Sequence, residues 1–177
     1  MVIQLDNGVR YKTTRENGHC YVDILIVCEG STDTSFIQFM YDTGAWLTVL
    51  SRKEYEANEL FSLPWRNFAM GGYGASADKK RKVQGILYQI PALKIGRRLL
   101  TKVWAFTPAD YKITENILGL NAVDYYNTYQ DNGNDYFYFF DNPNPRPYIH
   151  ESGFSLACEG SFSFEKGGFP RFLNTQE

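Results

Sequence analysis

Phe39-Met40-Tyr41-Asp42-Thr43-Gly44-Ala45-Trp46-Leu47-Thr48-Val49-Leu50-Ser51 is the stretch on which the fold turns. An acid followed by two small residues stands between two apolar runs, which places its carboxylate on a tight turn at the end of a sheet. Gly44 lets backbone approach closely there, and Thr43 offers a hydroxyl to hold the turn. Asp, Thr and Gly are also ordinary turn residues, so the tripeptide alone reads equally as a surface β-turn. Its meaning comes from its neighbours.

Upstream, residues 21–27 and 35–41 are β-rich runs separated by Glu29-Gly30-Ser31-Thr32-Asp33, the pattern of a hairpin. Downstream, residues 46–50 form a further apolar strand, and residues 53–58 suit one short helical turn. Between Phe68 and Phe106 lie a glycine cluster, a basic run and two apolar stretches, 85–90 and 99–106, which read as antiparallel β. After Ile117-Leu118-Gly119-Leu120, Asn121 is placed to cap a helix over residues 122–126. At the start of the chain, Asp6-Asn7-Gly8 between residues 2–5 and 9–12 marks an N-terminal hairpin. Near the end, Tyr136-Phe137-Tyr138-Phe139-Phe140 reads as a buried or interface strand stopped by Asp141-Asn142-Pro143-Asn144-Pro145, and Ser161-Phe162-Ser163-Phe164 alternates like another.

Three pieces, in order, resemble the retropepsin-like (clan AA) aspartic peptidases. Residues 39–51 are similar to that family's catalytic segment, an apolar strand followed by Asp-Thr-Gly-Ala and a second strand, here Thr48-Val49-Leu50-Ser51. Met70-Gly71-Gly72-Tyr73-Gly74-Ala75-Ser76 stands where the family carries its flap, a mobile hairpin that closes over substrate. Asn116-Ile117-Leu118-Gly119-Leu120-Asn121 resembles the second signature, two apolar residues and a glycine that pack beside the catalytic loop and lead into a helix. The resemblance spans residues 21–126, about 60% of the chain.

The resemblance implies an all-β acid protease fold, a closed or sandwiched barrel with one short helix, here followed by a β-rich C-terminal extension. It implies Asp42 as the catalytic residue, with Thr43, Gly44 and Ala45 supporting its loop. Gly71, Gly72, Tyr73 and Gly74 would form the flap, and Ile117, Leu118 and Gly119 would pack against the loop. There is no internal repeat, and the motif occurs once, whereas a peptidase of two fused halves would carry it twice; a homodimer is therefore expected. The expected organisation is an N-terminal hairpin over 1–17, within the same fold or at the dimer interface, a peptidase domain over 18–128, and the extension over 129–177.

In such a dimer two Asp42 carboxylates share one proton, and water is activated between them to attack a peptide carbonyl with no covalent enzyme intermediate. The substrate would be a peptide or protein in extended conformation, with Trp46, Leu47 and Tyr73 as candidates to line the cleft. The alternative is a catalytically silent module of the same fold that holds a peptide or partner. The extension keeps that alternative open, since a tail blocking dimerisation would leave Asp42 alone; otherwise it adds β structure to the sheet or dimer interface, or lies over the cleft and restrains activity until cut or displaced.

Other functional classes find little support. Aromatic residues make up 16% of the chain, with 13 Tyr and 13 Phe, which favours a pleated, half-buried surface over helical stripes. A formal net charge of -2 gives no reason to expect a nucleic-acid or membrane partner. Lys79-Lys80-Arg81-Lys82 reads as a solvated hairpin. Cys20, Cys28 and Cys158 lack metal-ligand spacing, and His19 and His150 stand without a second ligand nearby, so neither metal nor cofactor is expected. Gly72-Tyr73-Gly74 has no lysine at Walker spacing, and no Gly-x-Ser-x-Gly elbow occurs. With no secretory pattern at Met1 and no run of ~20 apolar residues, a cytoplasmic location is expected.

Overall fold

The computed structural model describes residues 5–28, 34–42, 44–45, 47–71 and 82–145. Strands β3 (His19–Val27) and β4 (Thr34–Tyr41) pair antiparallel as the sequence predicts. In β3 the even-numbered residues point inward, so Val22 and Ile24 meet Phe39 and Ile37 of β4 on the core face. That alternation is what a sheet with one covered face requires. The second long pair is β7 (Lys82–Ile95) and β8 (Arg98–Pro108), joined through Gly96 at a φ of +59°, a conformation that favours glycine.

Closure of the sheet depends on β3 and β7 each changing partner midway. β3 pairs with β2 (Thr14–Glu16) over residues 19–21 and with β7 over residues 25–27. β7 pairs with β6 (Trp65–Gly71) over residues 82–88 and with β3 over residues 92–94. Pro91 falls in the gap between those two pairings, where its missing N–H disrupts no ladder on that edge. The result is a barrel in the order β3, β4, β9 (Ile117–Leu118), β5 (Thr48–Val49), β8, β7 and back to β3. This all-β barrel agrees with the fold class expected from the sequence.

Two short helices accompany it, the first where the sequence suits a helical turn at 53–58 and the second near the helix expected over 122–126. Helix α1 (Arg52–Ala57) is capped by Ser51, whose hydroxyl accepts from the Glu54 amide at 3.2 Å, and it seats Tyr55 against Tyr88 with ring centroids 5.0 Å apart. Helix α2 (Leu120–Val123) starts from Gly119, so Asn121 is inside the helix and not its cap. The reason is a buried hydrogen-bond network, described below, that claims the Asn121 side chain.

A second sheet, in the order β1 (Val9–Lys12), β11 (Tyr136–Asp141), β10 (Tyr126–Asp131), packs on the barrel. Val9–Lys12 pairs with Phe139–Tyr136, and the other arm of the expected N-terminal hairpin, residues 2–5, lies largely outside the described residues. Asn7 and Gly8 close a turn, with the Gly8 amide donating to Leu5 O at 3.2 Å. A two-residue hairpin is closed by Asn17-Gly18, where both φ values are positive (51° and 80°), between β2 and β3. Phe137 and Phe139 of β11 enter the same core as Phe39 and Tyr88. Tyr126 donates to Ile95 O at 2.7 Å, and the Gly96 amide donates to Tyr11 at 2.8 Å, which ties both outer strands to the β7–β8 turn. The strand expected at 161–164 lies outside the described residues.

Candidate active site

Asp42 follows directly on β4, half-buried, at the start of a tight turn. Its Oδ1 accepts from the Gly44 amide at 2.8 Å, and its carbonyl accepts from the Ala45 amide at 3.3 Å. The carboxylate is thus oriented by the backbone of its own loop, as a turn-forming Asp does. Thr43 and Trp46 lie outside the described residues.

Beneath the loop, β9 inserts between two strands that the loop itself connects. Met40 and Tyr41 of β4 pair in parallel with Ile117 and Leu118, and Val49 of β5 pairs with Ile117 from the other side. Gly119 then passes so close to the loop's exit that a Cβ there would lie 2.6 Å from the Thr48 nitrogen, which is why a side chain is not accommodated. The Leu120 amide donates to Ala45 O at 2.8 Å, completing the contact between the second signature and the Asp42 loop. Ile117, Leu118 and Gly119 therefore sit beside the loop that carries Asp42, Gly44 and Ala45.

Three polar residues of these two segments hold the junction, by hydrogen bonds that the sequence reading did not assign to them. Asn121 Oδ1 accepts from both the Thr48 amide at 2.9 Å and the Thr48 hydroxyl at 2.8 Å, while its Nδ2 donates to Trp104 O at 2.7 Å. Thr48 Oγ1 in turn accepts from the Gly119 amide at 3.2 Å. Asn116 Oδ1 accepts from the Ser51 amide at 2.8 Å, and its Nδ2 donates to Gln38 O at 3.2 Å, bridging β4 to the segment after β5. The signal available in sequence was a polar residue set into an apolar run. Buried polar side chains are kept where they satisfy partners.

A small apolar cluster adjoins the loop. Met40, Val49, Phe106 and Ile117 are its buried members, and Ala45, Leu47 and Tyr21 pack on it with Phe68, Met70 and Val83 from β6 and β7. Phe68 meets Phe106 edge-on at 5.9 Å. Gly85 of β7 leaves room for the Phe106 ring, since a Cβ there would lie 2.7 Å from it and 2.2 Å from Thr107 O. The cluster runs as one apolar surface from the Asp42 loop to the base of the β6–β7 pair, which extends to Gly71 opposite Lys82. Gly72, Tyr73 and Gly74, expected at its tip, lie outside the described residues. Among the described residues no group of His, Cys, Asp and Glu could hold a metal, and no helix is long and apolar enough to cross a membrane.

Barrel and loop together define the retropepsin-like acid protease fold. Among solved structures the chain resembles a retropepsin-like aspartic protease from Rickettsia conorii at a TM-score of 0.51 and 17% identity, over 75% of this chain and 89% of that one. No family model and no curated protein matches the chain.

Proposed function

We propose that the protein is an aspartic endopeptidase, active as a homodimer in which Asp42 of each subunit contributes one carboxylate. The observation that carries this reading is the placement of Asp42, the acid of the motif, on a backbone-braced loop beside an apolar surface. Two carboxylates brought together at a two-fold axis cannot both ionise cheaply, so the pair holds a single proton and titrates as a unit. The ionised member takes a proton from water as it attacks the scissile carbonyl; the protonated member donates to the carbonyl oxygen. Gly44 and Ala45 keep the carboxylate aimed, together with Thr43. Gly71, Gly72, Tyr73 and Gly74 close over an extended peptide or protein substrate whose backbone pairs with that hairpin. The apolar surface around Leu47, Phe68 and Met70 favours apolar side chains near the cut.

The test is cleavage of a diverse peptide mixture by the parent and by Asp42→Asn between about pH 4 and 7, with dimer mass measured on the same samples. Cuts made only by the parent establish the activity. A confirmed dimer without Asp42-dependent cuts rejects it in favour of a silent binding module.

A further inference from the structure

The two outer edges of the second sheet are unlike. β1 forms one of them and carries Arg10 and Lys12, while β2, at the edge of the barrel sheet, is short and carries Arg15 and Glu16. Charged residues and short strands are how a sheet edge is kept from pairing with another chain. β10 is guarded in neither way. Its residues, Tyr126–Asp131, include no lysine, arginine or proline, pair without a break with Asp141–Tyr136, and among the described residues have no strand on the other side.

The backbone of this edge has a fixed orientation. The Asn142 amide donates to Tyr125 O at 2.9 Å at the start of the β10–β11 pair. Bonded pairs alternate in an antiparallel ladder, so Asn127, Tyr129 and Asp131 exchange bonds with β11, whereas Tyr126, Thr128 and Gln130 aim their N–H and C=O away from it. Asp131, the one charged residue of the strand, stands at its far end, where the carboxylate accepts from the Gly133 and Asn134 amides at 3.2 Å.

The middle of the edge is joined to the candidate active site. Tyr41, directly before Asp42, has its hydroxyl 3.1 Å from Thr128 Oγ1, and its ring meets Phe137 of β11 at 4.6 Å. A pair of Asp42 carboxylates is incomplete in one chain, so whatever completes it approaches next to this loop.

We propose that a second copy of the chain pairs along β10, antiparallel about a two-fold axis at Thr128. Thr128 then faces Thr128 of the partner subunit, and Tyr126 faces Gln130 of the partner subunit. The two three-stranded sheets become one continuous sheet with no strand exchanged, and each Tyr41 brings the start of its Asp42 loop to the axis. Like charges do not meet in this register, since Asp131 lies opposite Tyr125 of the partner subunit. The choice of a second copy as occupant rests on the peptidase reading; the strand and its register rest on the edge itself.

Cross-linking tests the register. Asn127 and Tyr129 of the partner subunit form a directly opposed pair, with Cβ atoms ~4.5–5.5 Å apart, a separation that a disulfide spans with small adjustment. Asn127 and Asn127 of the partner subunit are offset along the strands and do not bridge. Coexpressed Asn127→Cys and Tyr129→Cys chains therefore give a covalent dimer on oxidation, and either variant alone gives no more than the parent with its native cysteines. Gln130→Pro removes an outward N–H without taking a bond from β11, so sedimentation finds it a monomer, with the parent's circular dichroism, at concentrations where the parent is a dimer. Absence of the cross-link in the mixed chains overturns the proposal, whether or not the proline variant keeps its fold. A folded Gln130→Pro chain that stays dimeric overturns it as well. A cross-linked dimer without Asp42-dependent cleavage keeps this interface and removes the peptidase reading, whereas Asp42-dependent cleavage by a dimer that does not cross-link does the reverse.

Discussion

Gly119 and Leu47 meet backbone to backbone: a Cβ on Gly119 would lie 2.4 Å from the Leu47 carbonyl carbon and 2.6 Å from its oxygen. Since the φ of Gly119 is −82°, an ordinary value for any residue, the need for glycine here is purely one of space. Gly119→Ala must push α2 away from the Asp42 loop. The expected cost is about 1–3 kcal/mol, as for other overpacking changes, read as a lower urea midpoint together with weakened peptide cleavage. An unchanged midpoint would mean that the loop yields freely.

Asn121→Ala strands two donors on Thr48 and one acceptor on Trp104 in a buried setting. A loss on the order of 3 kcal/mol follows from leaving such groups without partners. Thr48→Val removes the hydroxyl's bond to Asn121 and also leaves the Gly119 amide without its acceptor, while the Thr48 amide keeps its bond to Asn121. Urea unfolding of both variants and the double mutant measures the coupling; full additivity would contradict a shared network.

Asp42→Asn preserves the Oδ1 that accepts from the Gly44 amide, so the loop should keep its shape and the unfolding midpoint should stay within about 0.5 kcal/mol of the parent. Cleavage should fall by about 10²–10⁴-fold, the contribution of a positioned acid or base. Equal loss of stability and activity would reduce Asp42 to a structural turn residue.

Phe139 is 2% exposed and Phe137 1%, and both belong to the main core. Phe139→Ala should cost about 3–5 kcal/mol. Truncation after Tyr129 removes the whole of β11, so the expected result is loss of the folded state and not a gain of activity. Calorimetry of the truncated chain decides this directly.

Burial pushes the Tyr88 phenol well above its ordinary range, its 2.7 Å hydrogen bond with Thr107 offsetting part of the effect. Burial raises Tyr55 and Tyr126 in the same direction. In the unfolded chain tyrosine ionises near pH 10, so above that pH the unfolded state binds fewer protons than the native one and stability falls as pH rises; below it the contribution is fully present. Tyr88 alone should steepen this fall by about 1.4 kcal/mol per pH unit. Tyr88→Phe should flatten the curve by that amount, measured from urea midpoints above about pH 10 alongside tyrosinate absorbance.

Local patterns were enough to locate the strands around Asp42 and the β3–β4 and β7–β8 pairs, and the resemblance of residues 116–121 to a family signature pointed to the meeting of Ile117-Leu118-Gly119 with the Asp42 loop. Each of these rests on alternation, turn chemistry or a motif contained within a few residues, which sequence records directly. Two Asn-Gly pairs, at 7–8 and 17–18, look alike in sequence, yet among the described residues only the second has positive φ at both positions and closes a two-residue hairpin. Val9–Lys12 finds its partner in Tyr136–Phe139, far along the chain, because the core needs Phe137 and Phe139 covered. Asn121 reads as a helix cap by local preference, but it is drawn inside by Thr48 and Trp104, which become its neighbours only once the barrel closes. Turn and pleat preferences are properties of adjacent residues and so belong to the sequence, whereas pairing partners and buried polar contacts are settled by which distant groups compaction brings within hydrogen-bonding distance.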